Sequence, residues 1–174
     1  MTINSALKSW VMEITGYDSQ HVILETGNGP RPEGDFATFD VLTVIPGAHP
    51  DVREYDLGDD TKQIDYITRN ELMVSVEVYS IDGMSHLLSL AKSGHLFRAR
   101  QVLQPDKLAI LRVGDPRKIP FDSDTNWKPR FQCDFTINSY HTISEIIEQI
   151  EAYDFTGSFI RDENVVETIG FSVP

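Results

Sequence analysis

The stretch ELMVSVEVY, residues 71–79, decides the fold class of this 174-residue chain. Apolar side chains stand at every second position in it: Leu72, Val74, Val76 and Val78. A two-residue period is that of a β-strand, because successive strand side chains point to opposite faces. Most positions between them hold polar or amphipathic side chains: Glu71, Ser75, Glu77 and Tyr79. Residues 71–79 are therefore predicted to form a half-buried strand.

A later stretch, FQCDFTIN at residues 131–138, has the same two-residue period. Cys133 falls on its apolar side and is predicted to be a buried strand residue. Shorter strands are predicted from β-branched and aromatic content at residues 21–26, 36–45, 63–68 and 108–113. In the strand over 36–45, four side chains are expected on one side: Ala37, Phe39, Val41 and Ile45.

Two segments have the spacing of amphipathic helices instead. The first has its apolar face at Ile3, Leu7, Trp10, Val11 and Ile14, with Asn4 or Ser5 available as a cap and Gly16 as a stop. The second follows a cap at Asp82 or Ser85 and has a stripe formed by Met84, Leu87, Leu88 and Ala91. Gly94 either ends this helix or bends it before Phe97 and Leu103. Both stripes are predicted to pack against the core.

Residues 27–34, 46–60 and 114–130 are rich in proline, glycine and acidic side chains, which predicts long solvated loops. Residues 142–153 fit either a helix or a continued strand, because their isoleucines satisfy both patterns. The fold class expected is α+β, with a mostly antiparallel or mixed sheet packed by an N-terminal helix and a central helix. A single domain over 1–174 is predicted, in which residues 155–174 have no assigned role.

Composition narrows the classes of function. The formal net charge is −12, which argues against a protein that binds nucleic acid by neutralising phosphates. The one cysteine allows no intramolecular disulfide and no cysteine-based zinc site. No apolar run approaches the roughly 20 residues that a bilayer requires, and the N-terminus lacks a signal-peptide pattern. A soluble protein made and kept in a cytoplasm is expected.

Motifs that would carry chemistry are missing from the sequence. The five histidines form no HxH or HExxH pair. Asp122, Asp124 and Asn126 imitate the start of an EF-hand loop, but Trp127 stands where that loop needs glycine. The glycine-rich loop at 27–34 has neither P-loop nor GxGxxG spacing. We therefore expect no catalytic residue, no cofactor and no metal.

The segment GNGPRPEGDFATFDVLTV, residues 27–44, resembles the phage neck terminator family, in which a Pro-Arg-Pro loop leads into a strand beginning with an aromatic and Ala-Thr. Residues 69–82 resemble the family's strand ending in Tyr and Asp, and residues 84–93 its following helix. Residues 127–140 resemble its late alternating strand, entered through an aromatic and an arginine. The blocks agree in order and cover most of the chain. The resemblance favours a strand over 142–153.

The resemblance implies a sheet backed by helices and a structural, non-enzymatic role in the virion. A homohexameric ring would cap the tail tube protein at the neck and join it to the head connector or head completion protein and, in contractile tails, to the sheath. Assembly would take place in the host cytoplasm. DNA would pass through without specific binding, and six copies of −12 would carry a formal −72. That charge would repel DNA if acids such as those of residues 51–60 faced the lumen.

Five residues in these blocks are candidates for a contact between subunits or with neck proteins: Arg31, Pro32, Asp35, Trp127 and Arg130. Flanking prolines stiffen the loop of Arg31, which lowers the entropy lost on docking. Trp127 is either a residue at the edge of the core or an interface anchor. Two other functions stay open, namely another phage part (tail tube, baseplate or head completion protein) and a small enzyme. A deep pocket holding several titratable groups would favour the enzyme.

Overall fold

The computed structural model describes residues 2–25, 31–58, 61–119 and 129–148, and the backbone of residues 153–161 and 164–173. Among these residues, no helix combines the length and the apolar character needed to cross a membrane. The chain divides into two compact units, one made of residues 1–50 and 68–141 and the other of residues 51–67 and 142–174.

Helix α1 spans Ile3–Thr15 and buries Leu7, Trp10 and Val11, as the sequence predicts. Its cap is Thr2, so the expected cap at Asn4 or Ser5 is wrong. The Thr2 hydroxyl accepts the Ser5 N–H at 3.4 Å and the Ser5 hydroxyl accepts the Thr2 N–H at 3.1 Å. This reciprocal pair satisfies two donors that a helix start leaves unpaired. Gly16 ends the helix in a left-handed conformation, φ 77°, which glycine adopts without steric cost.

The seven-stranded sheet is mixed, which confirms the predicted α+β class. The order β1-β2-β4-β7-β5 joins Val22–Leu24, Phe36–Pro46, Thr61–Tyr79, Arg130–Glu148 and Leu108–Val113. Strand β3, Asp51–Gly58, pairs with β4, and β6, Arg117–Ile119, pairs with β7. The β1–β2 pair is parallel, whereas the pairs β2–β4, β3–β4, β5–β7 and β6–β7 are antiparallel.

Helices α2, Gly83–Lys92, and α3, Phe97–Leu103, complete the first unit, with 3₁₀ turns at Ser93–His95 and Gln104–Asp106. The core gathers α1, the inner sides of α2 and α3 and one sheet face. Leu87 and Leu90 of α2 are fully buried, whereas Leu88 is 45% exposed, so its placement in the helix stripe is wrong. Cys133 is 1% exposed on the apolar side of β7, as predicted.

Strand β4 runs without interruption where two strands were expected, and its last residues are buried on both faces. Val74, Val76 and Val78 join the core. Ser75 and Glu77, on the opposite face, are 2% and 3% exposed. The prediction of a half-buried strand is therefore wrong for residues 74–79. The face that holds Ser75 and Glu77 is buried as well, because other hydrogen-bonded polar side chains cover it.

In β2, Val41 pairs with Val74, and a bulge then shifts the register so that Thr43 pairs with Met73. The shift places Ile45 opposite Glu71, on the face away from the core, where it is 51% exposed. One extra residue reverses the side that each later side chain faces. The prediction that Ile45 shares a side with Ala37, Phe39 and Val41 is therefore wrong.

The second unit contains β3, the start of β4, the end of β7 and a hairpin of β8, Tyr153–Arg161, with β9, Asn164–Val173. The loop predicted over 46–60 is wrong at 51–58, since β3 pairs with β4 from Asp51↔Ile67 to Gly58↔Thr61. All eight β3 residues are exposed, so no burial pattern marks the strand in the sequence. Residues 142–148 are strand, as favoured, and residues 155–174 include β9 and most of β8. The loop predicted over 114–130 is interrupted by β6.

Candidate functional site

Tyr79, at the end of β4, lies at the centre of a group of aromatic and charged side chains. The Phe36 ring stacks on it with centroids 4.4 Å apart and planes 11° from parallel. The guanidinium carbons of Arg31 and Arg130 each lie 5.7 Å from the centroid of the Tyr79 ring. Cations within about 6 Å of an aromatic centroid are attracted by the ring quadrupole. The start of β2, the end of β4 and the start of β7 therefore meet at this ring.

A buried carboxylate joins the same group. Glu77, whose side chain is 4% exposed, accepts the Tyr79 hydroxyl at 2.9 Å. Its other carboxylate oxygen accepts Nη2 of Arg130 in a charge-assisted hydrogen bond. Glu25 lies farther away, with Oε1 3.9 Å from the same Arg130 nitrogen. Since a buried carboxylate is costly unless it is paired, the hydrogen bonds from Arg130 and Tyr79 compensate for the burial of Glu77.

The network raises the pKa of two of its hydrogen-bonded members. Burial, together with the hydrogen bond to Glu77, raises the pKa of Tyr79 to about 12. The hydrogen bond that Arg130 donates to Glu77 also raises the pKa of Arg130 above its ordinary value. Both shifts oppose proton loss, so Tyr79 and Arg130 keep their protons across the neutral range. Neither side chain is therefore suited to act as a general acid or base, which needs a pKa near the operating pH.

Further along the same sheet face, Gln132 donates to the Ser75 hydroxyl at 2.8 Å and to Asp134 Oδ1 at 3.2 Å. Arg117 donates to the other oxygen of Asp134, also at 3.2 Å. Beside Tyr79, the Ser80 hydroxyl donates to Asp35 Oδ2 at 2.7 Å. The polar face of the sheet is thus linked by hydrogen bonds within the chain.

The structure brings together three of the five candidate interface residues. Arg31 and Arg130 contact the Tyr79 ring, and Asp35 binds Ser80, the next residue along the chain. Pro32 follows Arg31 and is partly exposed. Trp127 lies outside the described residues, as do Asp122, Asp124 and Asn126. The contacts give Arg130 a role within the subunit, whereas the interface role of all five residues stays a prediction.

Sequence reasoning missed Glu77 and Tyr79, which hold the group together. A signal was available, since Glu77 and Tyr79 stand two residues apart and therefore on the same face of the predicted strand. What the pattern lacked was the partner: Arg130 lies 53 residues later in the chain.

The described residues show no arrangement typical of a metal-binding or catalytic site. Among them, no group of three or more His, Cys, Asp or Glu residues is placed to hold a metal ion. A cavity of about 470 Å³ lies between α3 and β5, and Arg100 is the one titratable side chain among its described lining residues. Burial raises the pKa of the Cys133 thiol to about 11, which disfavours a thiolate nucleophile.

The shift of Tyr79 predicts a pH dependence. A folded-state pKa raised from 10 to about 12 gives stability that is complete below pH 10 and is lost as the pH rises toward 12. Urea unfolding of wild type and Tyr79→Phe should therefore differ most below pH 10, and the difference should shrink between pH 10 and 12. A difference that stays constant over this interval would contradict the raised pKa.

The fold and the site together define an α+β protein whose central charged residues form a structural network. The phage neck terminator protein family matches residues 1–163 of the 174-residue chain. The chain therefore belongs to that family, which confirms the resemblance found in the sequence. The family is one of structural proteins of the phage tail and neck, and the protein is a virion component of this kind. No curated protein matches the chain.

Proposed function

We propose that the protein is a tail terminator subunit that works without catalysis. Identical copies, six by the resemblance, form a closed ring that caps the tail tube and joins it to the head connector or a head completion protein. In contractile tails the sheath would bind the same ring. Family membership supports the neck as its location.

Ring formation is supported by apolar side chains that lie exposed on strands of the second unit. Val52, Tyr55 and Leu57 of β3 are 54%, 44% and 52% exposed, and Ile143 and Ile146 of β7 are 58% and 67% exposed. Apolar side chains that a single copy leaves in water favour association, because each square ångström buried contributes roughly 25 cal/mol. A subunit built to contact neighbours accounts for these strands.

Charge supports the passage of DNA through such a ring. A subunit with a net charge of −12 repels a polyanion at every surface where its acids outnumber its bases. DNA would then move through the ring without stable binding. Such passage needs no catalytic group.

Electron microscopy of the purified protein and of tails tests the proposal. Closed rings with an axial hole, and antibody label only at the head-proximal end of the tail, are the expected results. Label along the whole tube or at the baseplate would reject the terminator role and favour another phage part. Turnover of a small molecule by a lone subunit would reject the non-enzymatic role.

Reversing the charge of Arg31 tests the candidate interface. Arg31→Glu should leave the monomer folded, because the side chain is exposed, and should lower ring assembly and the yield of infectious particles. Circular dichroism checks the fold, and complementation of a phage lacking the protein checks the yield. Arg112→Glu, an equal charge change at another exposed position, is the control. A wild-type yield from Arg31→Glu would remove Arg31 from the interface.

A further inference from the structure

We propose that the contact between neighbouring copies joins two different surfaces of the chain. One is the α2–α3 corner, formed by Lys92, His95, Leu96, Phe97 and Arg98. The other is the β3 face, formed by Val52, Glu54 and Asp56 of β3 with Ile64 and Tyr66 of β4. This inference rests on the proposed ring and names the surfaces that close it.

The α2–α3 corner has the composition of an interface centre. Phe97 is 74% exposed and Leu96 is 37% exposed, although both are large apolar side chains. Lys92 and Arg98 flank them and are also exposed. Within the described part of the chain, neither cation has an ion-pair partner. Aromatic and arginine side chains are enriched among the residues that dominate binding energy.

The corner belongs to a basic segment of a strongly acidic protein. Residues 92–100 hold three Lys or Arg and no acid, a net charge of +3, whereas the whole chain carries −12. The rest of the chain therefore carries −15. A second copy of this chain is, for that reason, an electrostatically attractive partner for the corner.

The β3 face offers the opposite charge with the same apolar character. Two acids, Glu54 and Asp56, stand on this face, and one base, Lys62, lies opposite Asp56, so acids are in excess there. Val52, 54% exposed, pairs across the hairpin with Tyr66, and Glu54 pairs with Ile64. Antiparallel partners lie side by side on one face, so Glu54 has Ile64 beside it and Val52 next to it along β3. Phe97 of one copy would pack against the apolar side chains of this surface, and Arg98 would pair with its acids.

A contact between two different surfaces is heterologous, and repetition of it closes into a ring when the rotation per subunit closes. Each copy uses its corner toward one neighbour and its β3 face toward the other. The acids of β3 are then neutralised between subunits. This arrangement replaces the expectation that residues 51–60 line the lumen.

Charge reversal and its rescue test the pairing, with assembly measured by sedimentation for the free protein and by copies bound per tube end for protein added to tail tubes. Phe97→Ser, Arg98→Glu and Glu54→Arg should each weaken assembly roughly 30-fold, as expected of residues at an interface centre. The double variant Arg98→Glu/Glu54→Arg should recover most of the loss. Arg112→Glu, an equal charge change on the polar sheet face, should assemble like wild type. Circular dichroism confirms that each variant is folded.

Wild-type assembly by Phe97→Ser and Arg98→Glu, or no recovery in the double variant, would overturn the pairing while leaving the ring intact. Variants that still form rings but no longer bind the tail tube would assign the corner to that partner and overturn the inference. Failure of the wild-type chain to form closed rings, both free and on tubes, would instead reject the proposed function itself. Ring formation by the wild-type protein therefore distinguishes a failure of this pairing from a failure of the proposed function.

Discussion

Replacing Arg130 by methionine is expected to destabilise the fold by about 3 kcal/mol, because it leaves a buried carboxylate without its cation. The side chain of Glu77 is 4% exposed, and its remaining described partner is the Tyr79 hydroxyl at 2.9 Å. Methionine keeps most of the volume and the aliphatic stem of arginine, so the loss would report mainly the unpaired charge. Urea unfolding followed by circular dichroism measures it.

Two variants calibrate this result. Arg117→Met removes an ion pair of 3.2 Å to Asp134 at a site where the arginine side chain is 60% exposed, so it should cost less than about 1 kcal/mol. Glu77→Gln in the Arg130→Met background removes the stranded charge and should restore part of the stability. Equal losses for Arg117→Met and Arg130→Met would show that burial of Glu77 is unimportant.

Replacing Trp10 by alanine is expected to cost about 3–5 kcal/mol, a large part of the 5–15 kcal/mol that stabilises a typical domain. Trp10 is fully buried and its indole contacts Phe135 edge to face, with centroids 5.0 Å apart. Its Nε1 donates to the Ser93 hydroxyl at 2.9 Å. The variant would therefore lose contacts that tie α1 to β7 and to the turn after α2. Thermal unfolding followed by circular dichroism gives the midpoint.

Trp10→Phe keeps an aromatic ring at this position and should lose clearly less stability than Trp10→Ala, since only part of the cavity opens. Ile3→Ala, on the same helix but 39% exposed, should change stability by less than about 1 kcal/mol. A Trp10→Ala protein as stable as Ile3→Ala would mean that the helix does not depend on this contact.

The sequence predicts the strands and helices that bury one face, because burial imposes a period on the pattern. β7 at Phe131 to Ile137 and α1 are examples. Strand β3 was not predicted because both its faces are exposed, and its acids and glycine are typical of loops. The bulge after Val41 was not predicted either, because a register shift depends on the partner strand rather than on the strand itself.

The candidate site was predictable only in part. Arg31 and Arg130 came from the family resemblance, and the structure places both at the Tyr79 ring. The carboxylate that binds Arg130 could not be chosen from the sequence, since 27 acidic residues compete for that role. Which acid meets which base depends on how the strands align, and a single chain does not encode that alignment in any local pattern.

The lone thiol has a consequence for the particle outside its host. Cys133 is 1% exposed, its pKa is raised to about 11, and the chain holds no second cysteine. Oxidation of cysteine proceeds through the thiolate and requires access, so this sulfur is protected on both counts. A virion that leaves a reducing cell for aerated surroundings would therefore carry this component with its one thiol still reduced.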